Sequence, residues 1–173
     1  MRNQQQMNDN PLLWKGRFSR LSYLAWMGLT FILFVCVLFF DFLRLGLHPV
    51  EIYSLDMISK AFLPSIIFMI ASFYPFFVFM IRRLHDLNQS GWYSLFSLVP
   101  ILSFFFYFYL MFAKGQDRRN TYGNYRETPL WEGFLGLATG GLMLGMIGVT
   151  IFAIFKPRNA EQSSRMLQIM LGL

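Results

Sequence analysis

Four runs of this chain, residues 21–40, 61–81, 92–113 and 133–155, contain no Asp, Glu, Lys or Arg. A hydrocarbon core about 30 Å thick takes roughly 20 helical residues to cross. Backbone groups inside it must bond to one another, and a helix does this within one segment. Strand spans would be about half as long and would alternate in polarity. Four uncharged runs also leave too little polar face for buried helices of a water-soluble protein. The pattern predicts an all-α fold, a polytopic membrane helix bundle with four transmembrane helices. Composition agrees: 55% of residues are apolar, 19% aromatic and 14% charged, whereas a soluble domain carries about a quarter charged residues.

The first run is too long for the apolar core of a secretory signal, and no A-x-A-like site follows it, so it reads as an uncleaved span. Cys36 is the single cysteine, which excludes an intramolecular disulfide. With two separated histidines it makes a poor structural zinc set. No metal and no cofactor are expected. The formal charge of +6 is scattered through short loops beside the spans. Solvation and topology account for it, and no nucleic-acid partner is expected.

With four spans, both termini and the 82–91 turn fall on one side, with Arg2, Lys15, Arg17, Arg20, Arg82, Arg83, Lys156, Arg158 and Arg165. The other side then holds Arg44, Lys60, Lys114, Arg118, Arg119 and Arg126. The Lys/Arg excess predicts cytoplasmic termini, while the 114–126 loop pulls the other way.

The organisation reads as follows. Residues 1–13 are an Asn/Gln-rich, disordered lead-in. Residues 14–129 form a core with three spans, about 21–43, 61–85 and 92–113. Residues 130–155 add a glycine-rich fourth span, and 156–173 form a tail whose "RMLQIMLGL" suits the membrane surface. Ser19 is placed to cap the first helix. Trp14, Tyr23 and Trp26 suit the headgroup region. "HPVEIYSLDMIS" suits a short interfacial helix. Pro75 and Pro100 are expected to bend the second and third spans. The pairs Gly136/Gly140 and Gly141/Gly145 let helix backbones approach closely, either within the bundle or against another copy or membrane partner.

The stretch "RRLHDLNQSGW" is far more polar than a turn between spans requires. On a continuing helix Arg82 and Arg83 lie four and three residues before Asp86 and share its face. Ser90 would cap the next helix, with Trp92 at the interface. With Ser19, His85 and Asn88 these residues make a supporting polar corner. Arg17 and Arg20 enter the membrane on the same side as Arg82 and Arg83. If the first two spans are neighbours, these four arginines converge near the headgroups, and planar donor forks suit phosphate oxygens. They are the candidate site for an anionic lipid headgroup or phosphate. The plainer reading is a capped, aromatic-anchored corner. No catalytic residues are expected: adjacent His85 and Asp86 diverge by about 100° on a helix, and no nucleophile accompanies them.

"GRFSRLSYLAW", "RRLHDLNQSGWYSLFSLVP" and "NTYG" resemble the domain-of-unknown-function 805 family over roughly residues 12–125. The resemblance implies a small bacterial inner-membrane protein with a helical bundle, and it implies no reaction. Family members often carry an acid three positions after the serine of the first segment, which completes a capping box. Here that position is Ser22. The glycine-rich fourth span is also an addition. The expected role is a non-catalytic accessory or interaction protein whose basic corner contacts anionic lipids or a partner. The alternative is a small transporter or channel component.

Overall fold

The computed structural model describes residues 10–46, 60–155 and 168–171. The segment expected as an interfacial helix, the first nine residues of the lead-in and most of the tail lie outside the described residues. The chain falls into two compact units, Met1–Thr139 and Gly140–Leu173. The described residues hold helices α1 (Arg20–Gly46), α2 (Leu63–Asp86), α3 (Pro100–Phe112) and α4 (Leu130–Phe155), with a 3-10 segment, Gly91–Leu98, ahead of α3. The fold class is the expected one: an all-α membrane bundle with four apolar helices. Three of them, α1, α2 and α4, are long and apolar enough to cross a membrane, and α3 is shorter.

Each helix boundary has a chemical cause. The Ser22 amide donates to Ser19 Oγ at 3.1 Å, so Ser19 caps α1 as expected. α2 starts at Leu63 with Pro64 in its first turn, and its N-cap residue Phe62 offers no side-chain bond. The cap comes from α1 instead: the Ser65 amide donates to Asp41 Oδ2 at 3.0 Å. α1 runs beyond its uncharged stretch so that the buried Asp41 reaches this end.

α1 and α2 pack antiparallel, and their rings give the register. Trp26 meets Phe79 at 5.7 Å between centroids, Phe34 stacks on Phe68 at 6.3 Å, and Phe42 meets Phe62 edge-on at 5.1 Å. The core gathers Phe18, Tyr23, Leu24, Phe79, Leu84 and Leu110 among others. Tyr23, expected at the interface, is buried in it. Trp14 is 62% exposed, in keeping with a headgroup position. The outer surface is apolar, with Phe39, Ile70 and Phe105 more than half exposed, the arrangement that lipid rather than water covers.

The third apolar run differs from the single bent span expected. Pro100 does not bend a helix; it opens α3, where its missing N–H costs nothing. The residues before it form the 3-10 segment, which folds back on α3: Phe96 meets Phe106 edge-on at 6.1 Å, and Gln89 Nε2 donates to the Tyr109 hydroxyl at 2.8 Å. α3 then runs beside α2, with Phe76 against Tyr107 at 5.9 Å, and its end lies at the end of α2.

The start of α4 packs on α1. A Cβ on Gly136 would strike the Leu21 backbone carbonyl, and one on Gly28 would strike the Thr139 side chain. The first glycine pair therefore serves packing within the bundle through Gly136. In the second unit, Gly141 and Gly145 face open space.

Gly136→Ala must displace backbone, so it is expected to lower stability in detergent by about 1–3 kcal/mol. Gly145→Ala meets nothing and should be neutral or slightly stabilising. Thermal unfolding of the two variants checks the contrast, and equal melting temperatures would refute the assigned packing.

Candidate functional site

The three sequence segments that carry the family resemblance meet at one place, the end of α2. The first segment docks backbone to backbone: the Phe18 amide donates to the Arg82 carbonyl at 3.0 Å. Gly16, at φ 100°, turns the chain into this position in a region where a side chain would be strained. Its carbonyl lies 3.3 Å from His85 Nδ1.

At the centre is Asp86, 4% exposed. Its Oδ1 accepts from Arg17 Nη2 at 2.9 Å and Nε at 3.2 Å, and its Oδ2 accepts from Arg83 Nη1 at 2.6 Å. Both guanidinium groups are completed by backbone carbonyls. Arg17 donates to the carbonyls of Gln116, Arg118 and Gly123. Arg83 donates to those of Phe18, Leu110 and Ala113. Burying three charges costs several kcal/mol per ion, and only near-complete pairing offsets it. That condition is met here. The third strand of the knot is residues 114–123. The Gln116 amide donates to the Asp86 carbonyl at 3.0 Å, and a Cβ on Gly115 would land on the Asp86 carboxylate.

The "LNQSGW" portion is helix-end chemistry. Asn88 takes φ 58°. The Gln89 amide bonds to the Leu84 carbonyl at 2.9 Å and the Asn88 amide to the His85 carbonyl at 3.1 Å, which is a Schellman ending with Asn in the left-handed position. The Ser90 side chain accepts from the Trp92 amide at 3.4 Å, as a cap. "NTYG" closes over this end: Asn120 Nδ2 donates to the His85 carbonyl at 2.7 Å, and Tyr122 stacks on the His85 ring at 3.9 Å.

Of the four arginines read as a headgroup or phosphate site, three lie together at the end of α2 with their donors on protein groups. Arg17, Arg82 and Arg83 are buried, and Arg20 is exposed. The Arg82 guanidinium lies 4.1 Å over the Phe18 ring and donates to the Asn10 carbonyl at 2.8 Å. Residues 10–16, the first four of which fall in the stretch read as the lead-in, are thus held against α2. The forks of Arg17 and Arg83 are taken up by the protein's own oxygens. The 114–126 segment, expected on the opposite side, sits against this corner.

A second polar cluster escaped the sequence reading. Glu132, 1% exposed, takes a bidentate pair from Arg126 at 2.7 and 2.8 Å and the Trp26 indole N–H at 2.9 Å. Arg126 also donates to Ser22 Oγ at 3.0 Å. The acid absent from position 22 is thus replaced by a carboxylate on the added helix, relayed through Arg126. Its signal was slight: one Glu just before an uncharged run. Asp41 was missed for the same reason, lying one residue beyond such a run.

Among the described residues no group of three His, Cys, Asp or Glu side chains could hold a metal. Asp86→Ala leaves two guanidinium groups buried without their carboxylate, and a loss of about 3–5 kcal/mol is expected. Arg20→Ala, at an exposed position, should cost within ~0.5 kcal/mol. Denaturant titration in mild detergent compares them, and a small loss for Asp86→Ala would contradict the assigned role.

Comparison with known proteins gives a consistent picture. The family model described as "Protein of unknown function (DUF805)" matches residues 12–124. The chain is 33% identical over 60 residues to inner membrane protein YhaI of Escherichia coli strain K12, and equally to YhaI of E. coli O157:H7. In each case 35% of this chain and 51% of the relative are covered, so the chain spans about half the length of the curated relatives it matches. No solved structure matches it.

Proposed function

The chain belongs to the DUF805 family, and from that premise we propose that it is a non-catalytic accessory protein of the bacterial inner membrane whose corner meets anionic lipid headgroups through an outer set of cations. The reading rests on one observation. The inner arginines tie residues 10–20 to 114–123, and those two segments carry the exposed Lys15, Arg20, Lys114, Arg118 and Arg119. The exposed acids among the same residues come to Asp117, which pairs with Lys114 at 3.2 Å. A rigid basic rim beside interfacial Trp14 is suited to an anionic leaflet, at about 1 kcal/mol per cation near the surface.

Replacing Lys15, Arg20, Arg118 and Arg119 together by Gln is expected to lower co-purified anionic phospholipid several-fold and leave zwitterionic lipid and melting temperature unchanged. Native mass spectrometry reads both lipid classes. Unchanged retention of anionic lipid would refute the proposal.

A small transporter or channel component is the second reading, and Asp41 favours it. Asp41 is fully buried, and among the described residues its Oδ1 has no hydrogen-bond partner. Ionisable groups within membrane helices commonly mark ion paths. Ion flux in sealed proteoliposomes, abolished by Asp41→Asn, is the outcome that this reading requires.

A further inference from the structure

The third apolar run begins and ends at the same place. The Gln116 amide bonds to the Asp86 carbonyl, so the chain leaves the end of α2 and returns to it within thirty residues. Its two limbs are the 8-residue 3-10 segment and the 13-residue α3. At about 2.0 Å and 1.5 Å per residue they reach roughly 16 and 20 Å. Neither limb crosses a hydrocarbon core of about 30 Å. Phe96 against Phe106 shows the limbs side by side rather than end to end.

We propose that residues 91–112 are a re-entrant hairpin seated in one leaflet, so that the chain enters and leaves this run on the corner side and does not cross the membrane within it. The hairpin's partner is the acyl layer of that leaflet. Its outer face bears no charge, and Leu98, Ile101 and Phe105 are 61%, 80% and 64% exposed. Trp92, 78% exposed, marks the entry, where an indole suits the headgroup depth. The tip also sheds polar groups that lipid would penalise. Pro100 has no N–H, the Ser103 amide bonds to the Val99 carbonyl at 2.7 Å, and the Ser103 hydroxyl bonds to the Pro100 carbonyl at 2.7 Å.

This route settles the charge argument that the sequence left divided. Lys114, Arg118, Arg119 and Arg126 join the N-terminal side. Between Leu13 and Leu130 the corner side then holds Lys15, Arg17, Arg20, Arg82, Arg83, Lys114, Arg118, Arg119 and Arg126, and the other side holds Arg44 and Lys60. The Lys/Arg rule places the corner in the cytoplasm.

The test uses the full chain in native membranes with Cys36→Ser and one new cysteine at a time: Lys15→Cys, Asp117→Cys or Lys60→Cys. A membrane-impermeant maleimide is applied to spheroplasts and to inverted vesicles. Positions 15 and 117 are expected to react only in inverted vesicles, and 60 only in spheroplasts. Reaction of 117 from the side opposite to 15 overturns the topology. A nitroxide on Ile101→Cys separates lipid from protein cover: relaxation by oxygen and not by an aqueous nickel complex is expected. A label shielded from both would assign the tip to a protein contact and overturn the leaflet assignment.

Discussion

One carboxylate shared by two buried arginines organises the cytoplasm-facing end proposed for this protein. Asp86 stands 2.9 Å from Arg17 and 2.6 Å from Arg83, and each partner belongs to a different layer. Arg17 comes from the strap ahead of α1, Arg83 from α2, and the carbonyls that complete them from α3, the loop after it and, at Phe18, the strap itself. A buried polar cluster holds together only when each member is satisfied, because an orphaned buried group costs several kcal/mol. Satisfaction on that scale leaves little freedom. The strap, the end of α2 and residues 114–123 must all be present for any of them to sit as they do.

That interdependence explains why three short segments far apart in sequence carry the resemblance to one family. They are three sides of one knot. Arginine is required because its planar fork reaches several oxygens in fixed directions, which a lysine cannot reproduce. Glycine is required at 16, where φ is 100°, and at 115, where a Cβ would meet the Asp86 carboxylate. Asn88 is required for the left-handed turn that ends α2. The added α4 docks through a second, independent pair, Arg126 and Glu132, and places a carboxylate next to Ser22, where a capping box would otherwise hold its own.

Much of the fold was legible in the sequence, and the reasons are plain. Uncharged runs about twenty residues long report burial in lipid directly, so α1, α2 and α4, the Ser19 cap of α1 and the Ser90 cap of the 3-10 segment could be read from residues alone. The path of residues 91–112 could not. Hydropathy records that a segment is oily and is silent on whether it crosses or turns back. What decides is Pro100 as a helix start and the bond from Gln116 to Asp86, a tertiary contact. The candidate site was legible in its members and not in its orientation. The same arginines that suit phosphate also suit backbone carbonyls, and residue type does not distinguish the two. Glu132 and Asp41 were hidden by lying at the margins of apolar runs, where a charge is ordinarily solvated.

The central claim is that the strap, the end of α2 and residues 114–123 form one cooperative unit through Asp86. Native-state hydrogen exchange of the Phe18 and Gln116 amides, whose acceptors are the carbonyls of Arg82 and Asp86, tests it most directly. The account predicts that both amides are protected to the same level and that both lose protection together in Asp86→Asn. Free exchange at Gln116 while Phe18 stays protected would contradict it.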